Sequence, residues 1–141
     1  MVKTAPIELA NISTVGSANG TYQLSVLLPG QGMQAKQGYK ESCAVIHLSA
    51  LSGTSPTITF NVYEIVDNAA ILVGTTGAMS SADDRVIDSG GGQVSTGGTF
   101  LSSSGATLRL FGKGTDMKVV ASTTGTLGTV AYTVNAILYD G

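Results

Sequence analysis

Residues 129–139 read TVAYTVNAILY, which is the clearest strand pattern in the chain. Apolar side chains stand at every second position of it: Val130, Tyr132, Val134, Ala136 and Leu138. Thr129, Thr133 and Asn135 are among the residues between them. Because successive side chains of a β-strand point to opposite faces, this alternation predicts a strand with one buried face and one exposed face.

The same alternation recurs along most of the chain, whereas apolar residues at the three- and four-residue spacing of a helix are hard to find. It predicts strands at residues 7–15, 21–28, 43–51, 57–65, 70–73, 85–87, 106–111, 117–122 and 129–139. Asp67 and Asn68 favour a turn between two of these strands, which predicts a hairpin there. About eight strands at this spacing are typical of an all-β fold, and we predict a two-sheet antiparallel β-sandwich with jelly-roll-like connectivity.

Two segments of the chain resemble each other. Residues 50–65 read ALSGTSPTITFNVYEI and residues 121–137 read ASTTGTLGTVAYTVNAI, and the two align with one inserted residue. The aligned pairs include Gly53 with Gly125, Phe60 with Tyr132 and Val62 with Val134. Each copy reads as a strand, a Gly-Thr turn and a second strand, so we predict two hairpins at related places in the sandwich.

The length of 141 residues suits one domain, because domains usually contain about 100–200 residues. We therefore predict a single β-sandwich domain over residues 1–141, with an extended N-terminal arm at residues 1–10. Residues 89–98 contain the runs Gly90-Gly91-Gly92 and Gly97-Gly98. Glycine has no side chain to pack and a high backbone entropy, so this segment is predicted to be a mobile loop.

Charged residues make up only 11% of the chain, against about 25% in an average protein. Seven basic and nine acidic residues are scattered along the sequence and give a formal net charge of −2. They form no basic stripe that would neutralise phosphates, so nucleic-acid binding is disfavoured. Hydrophobic residues make up 43% of the chain, which predicts a folded core rather than a disordered chain.

Cys43 is the only cysteine, which excludes an intrachain disulfide framework and a cysteine-based zinc cluster. Residues 1–10 contain Lys3, Pro6 and Glu8 instead of an uninterrupted apolar run, so no secretion signal is predicted. No stretch approaches the roughly 20 apolar residues that cross a bilayer. We therefore expect a protein that is assembled in the cytoplasm and has no membrane partner.

His47 and a cluster of acidic residues are the first candidates for a metal-binding or catalytic site. His47 is the only histidine, so a His-based metal site would need carboxylates to complete it. We interpret it as a strand residue on a polar or interface face. Asp83, Asp84 and Asp88 lack the alternate-residue Asp/Asn spacing of a dedicated calcium loop, and we interpret them as a solvated loop or a short edge strand.

A pair of glutamates and the Gly-rich segment are two further candidate sites, for glycoside hydrolysis and for nucleotide binding. Glycoside hydrolysis would have to pair carboxylates from distant positions such as Glu41 and Glu64, and nothing in their sequence setting marks them as a catalytic pair. Residues 90–98 lack the Gly-Lys-Ser/Thr ending of a phosphate-binding loop, so they do not form a nucleotide site. We predict no catalytic, cofactor-binding or metal-ligating residue, and we expect that the protein is not an enzyme.

Several short motifs follow one another in the middle of the chain. Gln37-Gly38-Tyr39 precedes a predicted strand that contains Ala44-Val45-Ile46, and Ser52-Gly53-Thr54-Ser55-Pro56-Thr57 leads into the next one; Val119-Val120-Ala121 opens the hairpin near the C-terminus. This combination, over residues 37–65 with an echo near the C-terminus, resembles small virion proteins of tailed bacteriophages. In those families a strand, a Ser-Gly-Thr-Ser-Pro-Thr turn and a second strand form a recurrent hairpin within a β-sandwich. The resemblance implies a head decoration (cement) protein, with a tail or head-completion protein as a near relative.

The resemblance also implies a partner and a location. A cement protein binds the major capsid protein and stabilises the phage head through many modest contacts, often as a homotrimer at local threefold positions. It resides in the virion after assembly in the host cytoplasm. Low charge and abundant Ser, Thr and Gly suit such close packing of subunits. The segments expected to contact the shell are residues 1–10, 30–40, 89–98 and 139–141.

A carbohydrate-binding or adhesive β-sandwich is the competing class. It requires an exposed aromatic platform or a calcium-supported loop. Tyr22 and Tyr132 fall on inward faces by their pattern, which leaves Tyr39, Tyr63 and Tyr139 as the tyrosines available for stacking on a sugar. These three come from separate segments, and the chain contains no tryptophan, which counts against sugar binding.

Overall fold

A computed structural model of the chain describes residues 6–27, 41–66, 68–88, 93–95, 100–101 and 116–139. These residues form eight strands and one short helical turn: β1 (Ile7–Val15), β2 (Gly20–Gln23), α1 (Leu24–Leu27), β3 (Glu41–Val66), β4 (Ala69–Thr75), β5 (Asp83–Asp88), β6 (Gln93–Ser95), β7 (Phe100–Leu101) and β8 (Asp116–Tyr139). The predicted strand at residues 106–111 and the Gln37-Gly38-Tyr39 motif lie outside the described residues. None of the described helical residues forms a helix long and apolar enough to span a membrane.

The strands hydrogen-bond into one antiparallel sheet. Its order is β1-β8-β3-β5-β6-β7, with β2 also paired to β8 and β4 also paired to β3. The prediction of an all-β, antiparallel fold is therefore confirmed. In the ranges given above, the hydrogen bonds define neither a second sheet nor a jelly-roll connectivity, so the predicted two-sheet arrangement is not shown by them.

Two very long strands, β3 and β8, form the centre of the sheet. The sequence pattern divided each of them into two strands separated by a Gly-containing turn, and that division is wrong: β3 is continuous over 26 residues and β8 over 24. The two strands stay paired through the predicted turns, with register shifts at Leu48/Ala50, Leu51/Gly53 and Thr54/Thr57. An extra residue in one strand bends a ladder without ending it, so these segments act as bulges instead of turns.

The paired strands β3 and β8 form a two-stranded ribbon, and this ribbon folds back on itself at the bulges. Phe60 pairs with Ala121, whereas Tyr132 pairs with Leu48, which is twelve positions before Phe60 on β3 (60 − 48). At about 3.3 Å per residue, a straight ribbon would separate the two pairs by about 40 Å. The ring centroids of Phe60 and Tyr132 are instead 5.0 Å apart, in an edge-to-face arrangement. The ribbon therefore has two halves that face each other across the core.

Half A is the part of the ribbon in which β3 residues 41–51 pair with β8 residues 130–139, and half B is the part in which residues 57–65 pair with 116–124. The side chains that point between the halves are fully buried and apolar: Ala44, Ile46, Leu48, Val130, Val134, Ala136 and Leu138 from half A, and Ile58, Phe60, Val62, Met117, Val119 and Ala121 from half B. Every second residue of the 129–139 segment is buried, as its pattern predicted.

Tyr132 ties the two halves together in the middle of the core. Its side chain is 1% exposed, and its hydroxyl donates a hydrogen bond of 2.7 Å to the carbonyl oxygen of Ala18. Its oxygen lies 2.5 Å from the hydroxyl of Tyr22, which packs edge-on against its ring. Burial raises the pKa of Tyr132, and the hydrogen bond with Tyr22 acts in the same direction. The phenol therefore stays protonated and continues to donate to Ala18.

The short strands follow the bend of the long ones. β1 begins at Ile7, so residues 7–10 of the predicted N-terminal arm lie in the sheet, as the strand pattern of residues 7–15 predicted. Its connection to β2 crosses from half A to half B, with the Gly16 N–H bound to the Gly128 carbonyl oxygen at 2.9 Å. β2 ends at Gln23, and the predicted strand at 21–28 continues as the helical turn α1.

The predicted hairpin around Asp67 and Asn68 is confirmed. Val66 pairs with Ala69, and Asn68 adopts a positive φ of 64°, a conformation that Asn tolerates better than most residues. The chain then crosses from half B to half A between β4 and β5, with Met79 bridged to Ile58 on the way. Residues 93–95 of the predicted Gly-rich loop form β6, which pairs with β5, so β5 is an internal strand.

Candidate functional site

The only histidine lies on the side of half A that points away from the core. His47 is a β3 residue that pairs with Asp84 of β5, and its Nδ1 contacts the Asp84 Oδ1. Their side chains are 56% and 49% exposed, so water screens the pair. This placement agrees with the interpretation of His47 as a strand residue on a polar face.

The acidic cluster is part of a strand. Asp83 and Asp84 are neighbours on β5 and therefore point to opposite faces of the sheet. Asp83 accepts a hydrogen bond of 2.9 Å from Arg85 Nε, while Asp84 contacts His47. Asp88 pairs with Cys43 at the far end of the strand. No group of three or more His, Cys, Asp or Glu side chains within the described ranges is placed to hold a metal ion.

The two glutamates considered as a catalytic pair lie at the open end of the folded ribbon, which is the end opposite the bend. Glu41 pairs with Tyr139 in half A, and Glu64 pairs with Met117 in half B. Glu64 is 1% exposed, and its Oε1 accepts a hydrogen bond of 3.1 Å from the Ser42 hydroxyl. Because Ser42 belongs to half A and Glu64 to half B, this contact joins the two ends of the ribbon.

Asp116 is a buried carboxylate that the sequence pattern missed. It is 0% exposed and opens β8, directly opposite Ile65. Its Oδ2 accepts a hydrogen bond of 2.7 Å from Gln23 Nε2. Its Oδ1 accepts hydrogen bonds from the backbone N–H of Ser25 at 3.1 Å and of Met117 at 2.8 Å. The carboxylate therefore fixes the helical turn α1 against β8, which is a structural role.

The tyrosines do not converge in the part of the chain that the structure describes. Tyr22 and Tyr132 point inward, as predicted. Tyr63 lies on half B, where Lys118 Nζ stands 5.3 Å from the centroid of its ring. Tyr139 ends β8 on half A. Tyr39 lies outside the described residues. The Lys118 ammonium thus lies over one face of the Tyr63 ring.

An array of outward side chains lies on half A, across β1, β8, β3 and β5. The registers align it into two rows, which we name the outer face: Asn11, Thr133, His47 and Asp84 in one row, and Glu8, Asn135, Val45 and Val86 in the other. Polar uncharged and small apolar groups dominate its centre, and its charged groups stand at its two edges.

The His47–Asp84 pair should contribute little to stability. We expect His47→Gln, Asp84→Asn and the double variant each to lower the free energy of unfolding by less than about 1 kcal/mol, because both groups are half exposed. Denaturant unfolding of the four proteins measures the coupling between the two side chains. A coupling of several kcal/mol would contradict the assignment of a solvated surface pair and would mark a specialised site.

No protein-family model matches the chain, and no curated protein matches it.

Proposed function

We propose that the chain is a non-enzymatic virion structural protein that decorates a bacteriophage head, binding the major capsid protein and stabilising the shell. The observation that carries the proposal is the outer face, which crosses four hydrogen-bonded strands and presents two rows of mainly uncharged side chains. A cement protein needs such a rigid contact surface and no reactive groups. The resemblance of residues 37–65 to small phage virion proteins supports the same class, and residues 41–65 of that segment lie in β3.

A two-layer sandwich is part of this proposal. Half A and half B would be its two layers, connected through the bends of β3 and β8. The Phe60–Tyr132 ring contact in the centre and the Ser42–Glu64 hydrogen bond at the open end both support it, because each joins one half to the other. Two layers joined by the bend and by contacts across the core would form a rigid unit, which suits a protein that bridges shell subunits.

The proposal is tested by the mass and binding of the purified chain. We expect light scattering to give a trimer, three times 14.2 kDa, that sediments with phage heads stripped of their small accessory proteins. Asn135→Arg, in the middle of the outer face, should lower head binding at least about tenfold, because it places a long charged side chain in the contact surface. Ser122→Arg, at an exposed position of half B, is the matched control and should bind as the parent protein does.

The outcomes separate the competing classes. Binding that survives Asn135→Arg would overturn the use of the outer face. A monomer that binds neither heads nor tails would overturn the virion assignment, and a glycan-array screen would then test the adhesive class. Binding to tails or to head vertices alone would identify a tail or head-completion protein instead of a cement protein.

A further inference from the structure

The chain contains two structural units of the same design. The first, residues 7–66, holds two short strands followed by the long strand β3. The second, residues 69–139, holds the short strands β4 and β5 and then the long strand β8, with the small strands β6 and β7 added between them. The two segments that resemble each other in sequence, residues 50–65 and 121–137, fall at equivalent places in the two long strands.

Each unit supplies its short strands to the long strand of the other unit. β1 and β2 of the first unit pair with β8, and β4 and β5 of the second unit pair with β3. β3 and β8 pair with each other along their whole length. Among the described residues, the first unit has no strand ladder of its own, and the second has only the small β5-β6-β7 ladder. Within these ranges, neither unit therefore satisfies the backbone hydrogen bonds of its own long strand.

The contacts between the two long strands are mirrored about the centre of the bend. Gly53 and Gly125, which align in sequence, both have a positive φ, of 132° and 83°. A Cβ atom on Gly53 would lie 2.0 Å from the carbonyl oxygen of Thr126, and one on Gly125 would lie 2.1 Å from the carbonyl oxygen of Ser55. The two close approaches correspond to within one residue of the alignment, which indicates an approximate twofold axis at the bend.

We propose that the β3–β8 contact is an assembly interface between two equivalent units, and that the partner it fits is the complementary unit of any copy of this chain. The units are joined only through Asp67 and Asn68, between the paired residues Val66 and Ala69. If this connection cannot close, the second unit of one chain completes the first unit of another, giving a closed dimer with the same strand pairing. This inference does not depend on the proposed virion function.

The deciding variant is the full chain without Asp67 and Asn68. The deletion joins Val66 directly to Ala69, so a hairpin within one chain would need Val66 and Ala69 as its two turn residues. Such turns use positive φ, which residues with a Cβ atom avoid, β-branched Val above all, so closure within one chain is strongly disfavoured. We expect light scattering to give twice the mass of the parent particle, with an unchanged far-ultraviolet β spectrum. Insertion of four Gly and Ser residues between Asp67 and Asn68 is the matched control and should leave the parent mass unchanged. A folded deletion variant with the parent mass would overturn the proposal.

A second experiment covers the case in which the deletion variant does not fold. A protease site is inserted between Asp67 and Asn68, and the folded full chain is cut there. We expect the two pieces to elute together in native buffer, to separate in denaturant and to reassemble when the denaturant is removed, at a rate that rises with concentration. Pieces that separate in native buffer, or that do not reassemble, would overturn the proposal.

Discussion

Gly53→Ala should destabilise the protein by about 3 kcal/mol or more, and Gly125→Ala should do the same. Either added methyl group would lie about 2 Å from a backbone carbonyl oxygen of the opposite strand. The obstacle is backbone and cannot rotate away as a flexible side chain would. Both glycines also have a positive φ, which adds strain to any residue with a Cβ atom. Denaturant unfolding followed by circular dichroism measures the loss.

Gly77→Ala is the matched control for these two substitutions. Gly77 also has a positive φ, of 64°, but nothing lies within 4 Å of the position its Cβ atom would take. It should therefore cost only the backbone strain, about 1 kcal/mol. If Gly53→Ala and Gly77→Ala cost the same, the close approach of the strands at the bend would be disproved.

The double variant Gly53→Ala/Gly125→Ala distinguishes one shared bend from two separate ones. Both clashes press the same pair of strands apart at one place, so opening the ribbon for the first also relieves part of the second. We expect the combined loss of stability to be smaller than the sum of the single losses by about 1 kcal/mol or more. A strictly additive result would show that the two bulges yield independently.

The bend itself is the part of the fold that the sequence pattern could not reveal. Glycines at 53 and 125 are compatible with a turn that leaves the ladder and with a bulge that stays in it, because both use positive φ. The choice between them depends on whether the opposite strand bends at the same place. Gly53 and Gly125 lie 72 positions apart in the sequence (125 − 53), and alternation along one strand carries no information on such a distant partner.

Burial, in contrast, was predictable wherever alternation was strong. Val134 and Leu138 are buried and Asn135 is not, because the face of a strand depends only on local periodicity. Leu24 is buried as its pattern predicted, although it lies in a helical turn and not in a strand. The pairing of His47 with Asp84 was not predictable, since it depends on which strands become neighbours.

Asp116→Ala should cost about 3 kcal/mol of folding stability. The substitution removes the acceptor of three hydrogen bonds, from the side chain of Gln23 and from the backbone N–H groups of Ser25 and Met117. Asp116 is fully buried, so water does not replace the lost acceptor without opening the structure. Without these hydrogen bonds, residues Leu24–Leu27 would no longer be held in the helical turn α1. Denaturant unfolding measures the cost.

Asp116→Asn is the matched control, because it keeps the shape of the side chain and one acceptor oxygen. That oxygen can still accept from Ser25 and Met117, while the amide of Gln23 can rotate to present its own oxygen to the new NH2 group. We therefore expect a loss of about 1 kcal/mol, because each hydrogen bond of the carboxylate keeps a partner. If Asp116→Asn proves as costly as Asp116→Ala, the negative charge itself would be what the buried position requires, and the account based on hydrogen-bond geometry would be wrong.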